Sequence, residues 1–365
     1  MDFGLSEDQL LLEDTVRSFL ADKVPIDRVR ELREQDCPTD RALWSALAEL
    51  GIAGILVPEA QGGSGLGLLD AAIVSQALGH AVTPAPFLGS AVMAATALAA
   101  LPARAGSEAS EWLAGIASGK RVFGVAVTEL FSVREGAGVR LQDGKLSGKA
   151  MMAIDAHGAD FVLVALDDET LAVVATDTPG VSLTRLATVD ATRCTAELVL
   201  EAASPEAVFE GAGRVIARTL DAGRIALAAD ALGACESMIA QAVAYAKQRK
   251  QFERLIGSFQ AVKHMCAEMV GELEPARSLL WYAAHSFDAM PEEAPLMACH
   301  VLAHVSEIGR EIASVATQVH GGIGWTDEQN LHFWFKRIAN DRHLLGGPEW
   351  LRDRAATLQG FAPAA

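Results

Sequence analysis

Basic residues are the scarcer charge in this 365-residue chain: 30 Lys and Arg face 47 Asp and Glu, for a formal net charge of −17. A field of that sign repels phosphate backbones, which excludes nucleic-acid binding from the expected functions. Cysteine is sparse and poorly placed for pairing. Cys37, Cys194, Cys235, Cys266 and Cys299 stand far apart, are odd in number and form no C-x-x-C pair. Neither a disulfide scaffold nor a zinc site is expected, and a reducing compartment fits. Long apolar runs are missing as well: the stretch 91–101 is far short of the about 20 residues that a bilayer span needs. The opening Met1-Asp2-Phe3-Gly4-Leu5-Ser6 lacks the basic and apolar regions of a signal peptide. These absences predict a soluble, cytoplasmic protein with no membrane partner. Aromatics supply only 6% of positions, but 51% are hydrophobic and 21% charged, which is globular composition. The length predicts two or three structural units.

Several chemical signatures are also missing. A G-x-G-x-x-G reading from Gly63 needs glycine at 68, where Leu68 stands, and starts at Gly136 and Gly211 fail at Leu141 and Ile216. No dinucleotide fingerprint of the strand-turn-helix type exists, because its glycines are what let a backbone approach a pyrophosphate. No G-x-S-x-G elbow supports nucleophilic hydrolysis. His300, His304 and Glu307 share one helical face, but the zincin base is absent and no second helix supplies a partner. A polar helix face is the better reading, and no metal site is expected.

What is present has a helical, β, helical order. Ser6 with Gln9 reads as a capping box, followed by Leu12, Val16, Phe19 and Leu20 at helical spacing. Trp44, Leu47 and Leu50 form a second stripe ending at Gly51, and Gly62, Gly63, Gly65 and Gly67 mark a loop before a helix over 70–78. The alanine-rich 91–100 predicts a closely packed helix. Short β-branched runs follow at 125–128, 161–166, 171–175 and 196–200, with turns at Asp143-Gly144, His157-Gly158 and Pro179-Gly180. Long helices return over 214–249, 259–286 and 296–319. On the first of these, Ala222, Gly223, Ala226, Ala229 and Gly233 would let a neighbouring backbone approach. The expected domains are 1–119 (helical), 120–212 (all-β) and 213–365 (helical).

Two segments carry the most specific chemistry. Arg249-Lys250-Gln251-Phe252 with Ile256-Gly257-Ser258-Phe259-Gln260 offers a guanidinium, an aromatic ring and an amide at a helix junction. Gln318-Val319-His320-Gly321-Gly322-Ile323-Gly324-Trp325-Thr326 offers backbone donors on a glycine turn after a long helix. Both suit a phosphate-bearing planar cofactor, and both equally suit ordinary helix ends.

These segments resemble the acyl-CoA dehydrogenase family. Its arginine-x-x-phenylalanine, with glutamine eleven residues after the arginine, matches Arg249, Phe252 and Gln260; its glutamine-x-x-glycine-glycine matches Gln318, Gly321 and Gly322. Pro58-Glu59-Ala60-Gln61-Gly62-Gly63 and Val127-Thr128-Glu129 resemble further family segments, and Thr128 stands where the family contacts the flavin ring. The resemblance implies an α+β multidomain fold: an N-terminal helical domain, a central β-barrel domain and a C-terminal four-helix bundle. It also implies a tetramer whose matched residues hold the ADP half of an FAD bound mainly by a neighbour. An acyl-CoA substrate and electron-transfer flavoprotein as electron acceptor come with it.

The sequence departs from the family where catalysis is done. The family removes an α-proton of the thioester with a glutamate, a task for a carboxylate in a dry pocket. That position is Leu345 here, and the alternative position used by a minority of members is Gly223, before Arg224. Neither takes a proton, so no catalytic residue is assigned. The family's tryptophan-isoleucine-threonine flavin wall is Met151-Met152-Ala153, and Leu130-Phe131-Ser132-Val133-Arg134 replaces its proline and small-residue turn. Residues serving a neighbour's FAD are kept while those for an own FAD are lost. This pattern resembles the glutamate-lacking subunit of heteromeric acyl-CoA dehydrogenases of steroid side-chain and dicarboxylate degradation. Two other readings stay open: a self-sufficient enzyme whose base has moved to Glu349, Glu129 or Glu236, and a non-enzymatic scaffold.

Overall fold

The capping box forms as the sequence predicts. Ser6 Oγ accepts from the Gln9 N–H at 3.2 Å, and Gln9 Oε1 accepts from the Ser6 N–H at 3.0 Å, opening α1 (Glu7–Lys23). The computed structural model describes residues 4–35, 39–101, 106–132 and 134–361. Met1, Asp2, Phe3, Cys37 and Val133 lie outside the described residues. Helices α2 (Ile26–Arg33), α3 (Arg41–Glu49) and α4 (Leu68–His80) follow. The alanine-rich run is the closely packed helix expected, π-helical over Phe87–Ala94 and α5 over Ala95–Ala100. The Gly89 N–H donates to the Asp155 carboxylate at 2.8 Å, an acceptor outside the helix that competes with the helical ladder. Helix α6 (Gly106–Ala117) completes this part.

Eight strands come next: β1 (Phe123–Ala126), β2 (Gly138–Gln142), β3 (Lys145–Ile154), β4 (Phe161–Ala165), β5 (Thr170–Ala175), β6 (Val181–Arg185), β7 (Thr195–Ala203) and β8 (Ala207–Glu210). They form one sheet in the order β6-β7-β3-β1-β4-β5-β8, with β2 also paired to β3. The sheet curls around its own small core: Val162, Val164, Ala172 and Val174 meet Leu146 and Leu198 on one face. The alternate residues Phe161, Leu163, Leu171 and Val173 face the helices. Burial of both faces explains why β4 and β5 read as unbroken apolar runs. Among the described residues, no ladder joins β6 to β8.

The chain then returns to helices: α7 (Gly213–Ala246), a hairpin of β9 (Lys250–Gln251) and β10 (Arg254–Leu255), α8 (Gln260–Ala289), α9 (Ala294–His320), α10 (His332–Asp341) and α11 (Pro348–Leu358). The three long helices pack on one another, and the short α10 and α11 take the fourth side of the bundle. Helix α7 is apolar and long enough to cross a bilayer, yet 83% of its apolar window is buried in the protein. Its apolarity serves the core.

Small residues set the α4–α7 contact. A Cβ on Gly233 would stand 1.9 Å from the Gln76 carbonyl oxygen, and one on Gly79 would stand 2.0 Å from that of Asp230. Gly233→Ala is therefore expected to push the two helices apart and destabilise the fold by about 1–3 kcal/mol, read from denaturant midpoints. An unchanged midpoint would refute this packing account.

A buried charge cluster joins all three parts. Arg193, between β6 and β7, donates to Asp341 Oδ1 at 2.7 Å and pairs with Asp230 Oδ1 at 3.2 Å. Arg337 of α10 pairs with Asp190 at 2.8 Å and Asp230 at 3.2 Å, and donates to Thr192 Oγ1 at 2.6 Å and the Thr83 carbonyl at 3.2 Å. Three carboxylates against two guanidiniums leave one negative charge uncompensated, which burial penalises heavily. Burial pushes the Asp341 carboxyl well above the ordinary carboxylate range, and Asp230 beside it adds to the rise. Burial also opposes the charge on Asp230, but Arg193 and Arg337 outweigh it and keep that carboxyl below its usual range. Because Asp341 binds its proton more tightly folded than unfolded, its contribution is present at acid pH and is lost as pH rises above about 4 toward its folded pKa, at about 1.4 kcal/mol per unit. Asp341→Asn keeps the acceptor for Arg193 and has no carboxyl to titrate. Its melting temperature should fall less than the wild type's as pH rises from about 4; parallel curves would contradict the raised Asp341 carboxyl.

Candidate nucleotide end and the catalytic position

The two sequence-singled segments meet at one end of the bundle. Tyr245, in the last turn of α7, stacks on His320, the last residue of α9, with ring centroids 4.7 Å apart. The Arg249 N–H donates to the Tyr245 carbonyl at 2.9 Å, and its own carbonyl accepts from the Ile256 N–H at 2.8 Å, closing the β9–β10 hairpin back onto the helix. Gln260 opens α8 beside it, its side chain 2.9 Å from His264. Arg249, Phe252, Gln260, Gln318, Gly321 and Gly322 are all solvent-exposed at this end.

Two details suit a bound nucleotide here. Gly321 has φ +68° where it ends α9, and a Cβ on Gly321 or Gly322 would meet nothing within 4 Å, so the space over this turn is open to a ligand. At the hairpin tip, Phe252 and Glu253 hold φ +52° and +63°, the mirror-turn geometry of two-residue hairpins that glycine or asparagine normally supplies. Phe252 is 87% exposed in that strained position. An exposed ring, an exposed guanidinium and an open glycine turn fit the ADP half of FAD. Thr128 is not part of this group. It is buried in the turn after β1, and Phe131 of that turn contacts Trp350 of α11 at 5.8 Å.

Leu345 and Gly223, the two positions that the resemblance matches to the family's base, are in contact. Leu345 is 1% exposed with φ +55°, and its Cδ1 lies 2.7 Å from where a Gly223 Cβ would be. Met93, at the end of the π-helical stretch, packs against the same spot at 2.9 Å. Arg224 Nε donates to the Leu345 carbonyl at 3.2 Å and holds the loop, while its Nη1 donates to Asp221 at 3.1 Å. A leucine side chain fills the volume where either carboxylate would stand, and it fits only because residue 223 has no side chain.

The three carboxylates considered as relocated bases are committed elsewhere. Glu129 accepts from the Met151 N–H at 2.8 Å, pinning a bulge in β3 where Met152 has φ +54°. Glu236 pairs with Arg17 at 2.7 Å and with Arg277, and accepts from Gln76 at 2.6 Å. Burial opposes its charge, but the two arginines prevail and hold the carboxyl below its usual range. Glu349 has its side chain 76% exposed at the start of α11, and its own backbone N–H lowers its pKa further. Neither Glu236 nor Glu349 is a carboxyl raised toward neutrality in a dry pocket. Asp221, which sequence reasoning missed, is raised by burial against Arg224, but it sits two positions before Gly223. That spacing is about 200° of helix rotation, so it faces away from Leu345, toward a cavity of about 590 Å³ with Arg214, Arg218 and Phe287. Glu307 is likewise engaged, accepting from Arg342 at 2.6 Å, and among the described residues no cluster of His, Cys, Asp or Glu could hold a metal.

Comparison with known proteins gives the same family as the motifs. Residues 6–120 match the acyl-CoA dehydrogenase N-terminal domain and residues 211–357 the acyl-CoA dehydrogenase C-terminal domain. The chain is 33% identical over 343 residues to acyl-CoA dehydrogenase IpdE2 of Mycobacterium tuberculosis, covering 94% of each. The ChsE4-ChsE5 complex from Mycobacterium tuberculosis contains a chain that superposes with a TM-score of 0.90 at 30% identity, covering 100% of both. The Tcur3481-Tcur3483 steroid ACAD superposes at 0.86 with 29% identity, covering 97% of this chain and 98% of that one. The chain belongs to the acyl-CoA dehydrogenase family of flavoproteins.

Proposed function

We propose that this chain is the glutamate-lacking subunit of a heteromeric FAD-dependent acyl-CoA dehydrogenase, and that it completes the FAD site of a partner chain carrying the catalytic carboxylate. The observation that carries this reading is the contact of Leu345 with Gly223. An apolar side chain occupies the one volume where the family places its base. The commitment of Glu129, Glu236 and Glu349 to other partners supports the same reading against a relocated base. The similarity to chains of two complexes with paired names, one of them titled a steroid ACAD, favours a heteromer and a steroid-derived acyl-CoA.

In this account the bound FAD supplies the oxidising power for α,β-desaturation. This chain's own part is to bind and orient. Arg249 places a positive charge on the diphosphate, the amides of Gly321 and Gly322 donate to it, and Gln260 and Gln318 fix the nucleotide end. Phe252 covers the adenosine half and keeps water from it. The α-proton is taken by the partner's carboxylate, since Leu345 has no acceptor. Electron-transfer flavoprotein is the proposed acceptor, and the cytoplasm the proposed location.

Flavin content tests the reading. The chain purified alone should hold little FAD, and the complex with a glutamate-bearing partner should be yellow. A fully flavin-loaded chain on its own would overturn the proposal.

A further inference from the structure

Helix α2 of the N-terminal part reaches the segment that follows the turn carrying Gly321 and Gly322. Arg30 donates from Nη1 to Asp327 Oδ2 at 2.9 Å, from Nε to Asn330 Oδ1 at 2.8 Å, and from Nη2 to the Asp327 carbonyl. Arg33, one helical turn on, donates to both Asp327 oxygens at 2.8 and 3.2 Å. Both guanidiniums lie over the Phe333 ring, 5.4 and 5.1 Å from its centroid, and His332 Nε2 is 2.8 Å from Asp327. Thr326, immediately before Asp327, ends the short helix of the glycine turn, its N–H and Oγ1 both donating to the Ile323 carbonyl. The grip on Asp327 is therefore one residue from the end of the turn.

The start of the turn is tied to α9 through the Gly321 N–H and the buried Gly324, which packs on Thr317 and His320, so its far end is what the arginines hold. Gly321 and Gly322 carry no side chains, and Trp325 is 74% exposed with a ring contact to Phe335 at 6.2 Å. We infer that Arg30 and Arg33 are positioning residues for the nucleotide turn: gripping Asp327, they hold the Gly321 and Gly322 amides in the orientation that receives a diphosphate. This inference rests on the nucleotide reading of that end. Sequence gave no sign of it, because the arginines and Asp327 are 297 and 294 positions apart.

An isolated surface pair contributes little, but two arginines sharing one carboxylate and one ring act as a network. In the complex with the glutamate-bearing partner, the double substitution Arg30→Ala with Arg33→Ala should speed hydrogen exchange of amides 321–327. It should also raise the FAD dissociation constant about five- to tenfold, the scale of one lost network. Arg30→Lys with Arg33→Lys should recover part of both effects, and Asp327→Asn should reproduce the loss from the other side. Arg249→Ala should weaken FAD without changing the exchange. If the double substitution leaves exchange and FAD affinity at wild-type values, the inference is wrong. If exchange rises while FAD affinity responds to Arg249→Ala alone, the clamp does not position the nucleotide, and the inference is again wrong. If FAD affinity responds to neither, the nucleotide reading itself falls and takes this inference with it.

Discussion

Arg249→Ala is expected to lower the FAD content of the assembled protein at least tenfold. Charge-assisted hydrogen bonds contribute about 1.5–3 kcal/mol each, and tenfold corresponds to about 1.4 kcal/mol. The guanidinium is exposed at the bundle end, and its backbone is pinned by Tyr245 and Ile256, so alanine should remove the charge and leave the hairpin in place. A stability curve matching wild type together with lost flavin absorbance would isolate the effect to binding. Undiminished FAD content would sink the assignment of Arg249, and with it the role of the adjoining Gln260, Gln318, Gly321 and Gly322.

The second large effect concerns catalysis. Offered acyl-CoA thioesters and an artificial electron acceptor, the chain alone should turn over at least about 10²- to 10⁴-fold more slowly than the complex, the contribution of one positioned general base. Leu345→Glu should not repair this. The new carboxylate would enter a volume already shared with Met93 and Gly223, and β3 is bulged at Met151-Met152, where the family has its flavin wall. Activity of the Leu345→Glu chain within about tenfold of ordinary enzyme rates, 1 to 10³ per second, would show that only the base is missing and that the chain has a working flavin site of its own.

The residues differ in how far their roles could be read from sequence. The Ser6–Gln9 cap is visible because both partners lie within one turn, and the close approach at Gly233 because small residues recur along α7. The two segments that meet at the bundle end were legible from the spacing of Arg249, Phe252 and Gln260 and of Gln318, Gly321 and Gly322, since each set is local. Sequence also marked Leu345 and Gly223 as two separate missing bases. Their contact was hidden, because Arg224 and Leu345 are 121 positions apart and meet only once α7 and the loop before α11 pack. The closely packed helix over 91–100 forms, but its π-helical start was hidden, since the competing acceptor Asp155 comes from the sheet domain. The Arg193, Asp230, Arg337 and Asp341 cluster left no signature either, being drawn from three separate parts of the chain. Thr128, which the resemblance places at the flavin ring and not at the nucleotide end, is buried in the turn after β1.

The most direct test of the partner-dependent account is a titration of purified chain into a fixed amount of a glutamate-bearing partner, with acyl-CoA-dependent reduction of an artificial acceptor as the readout. The account predicts no turnover from the chain alone, a rise with added chain that saturates at a fixed mole ratio, and loss of all activity when the partner's glutamate is replaced by glutamine. Turnover at ordinary enzyme rates by the chain in the absence of any partner would contradict it, and Glu349 and Asp221 would then be the first carboxylates to replace.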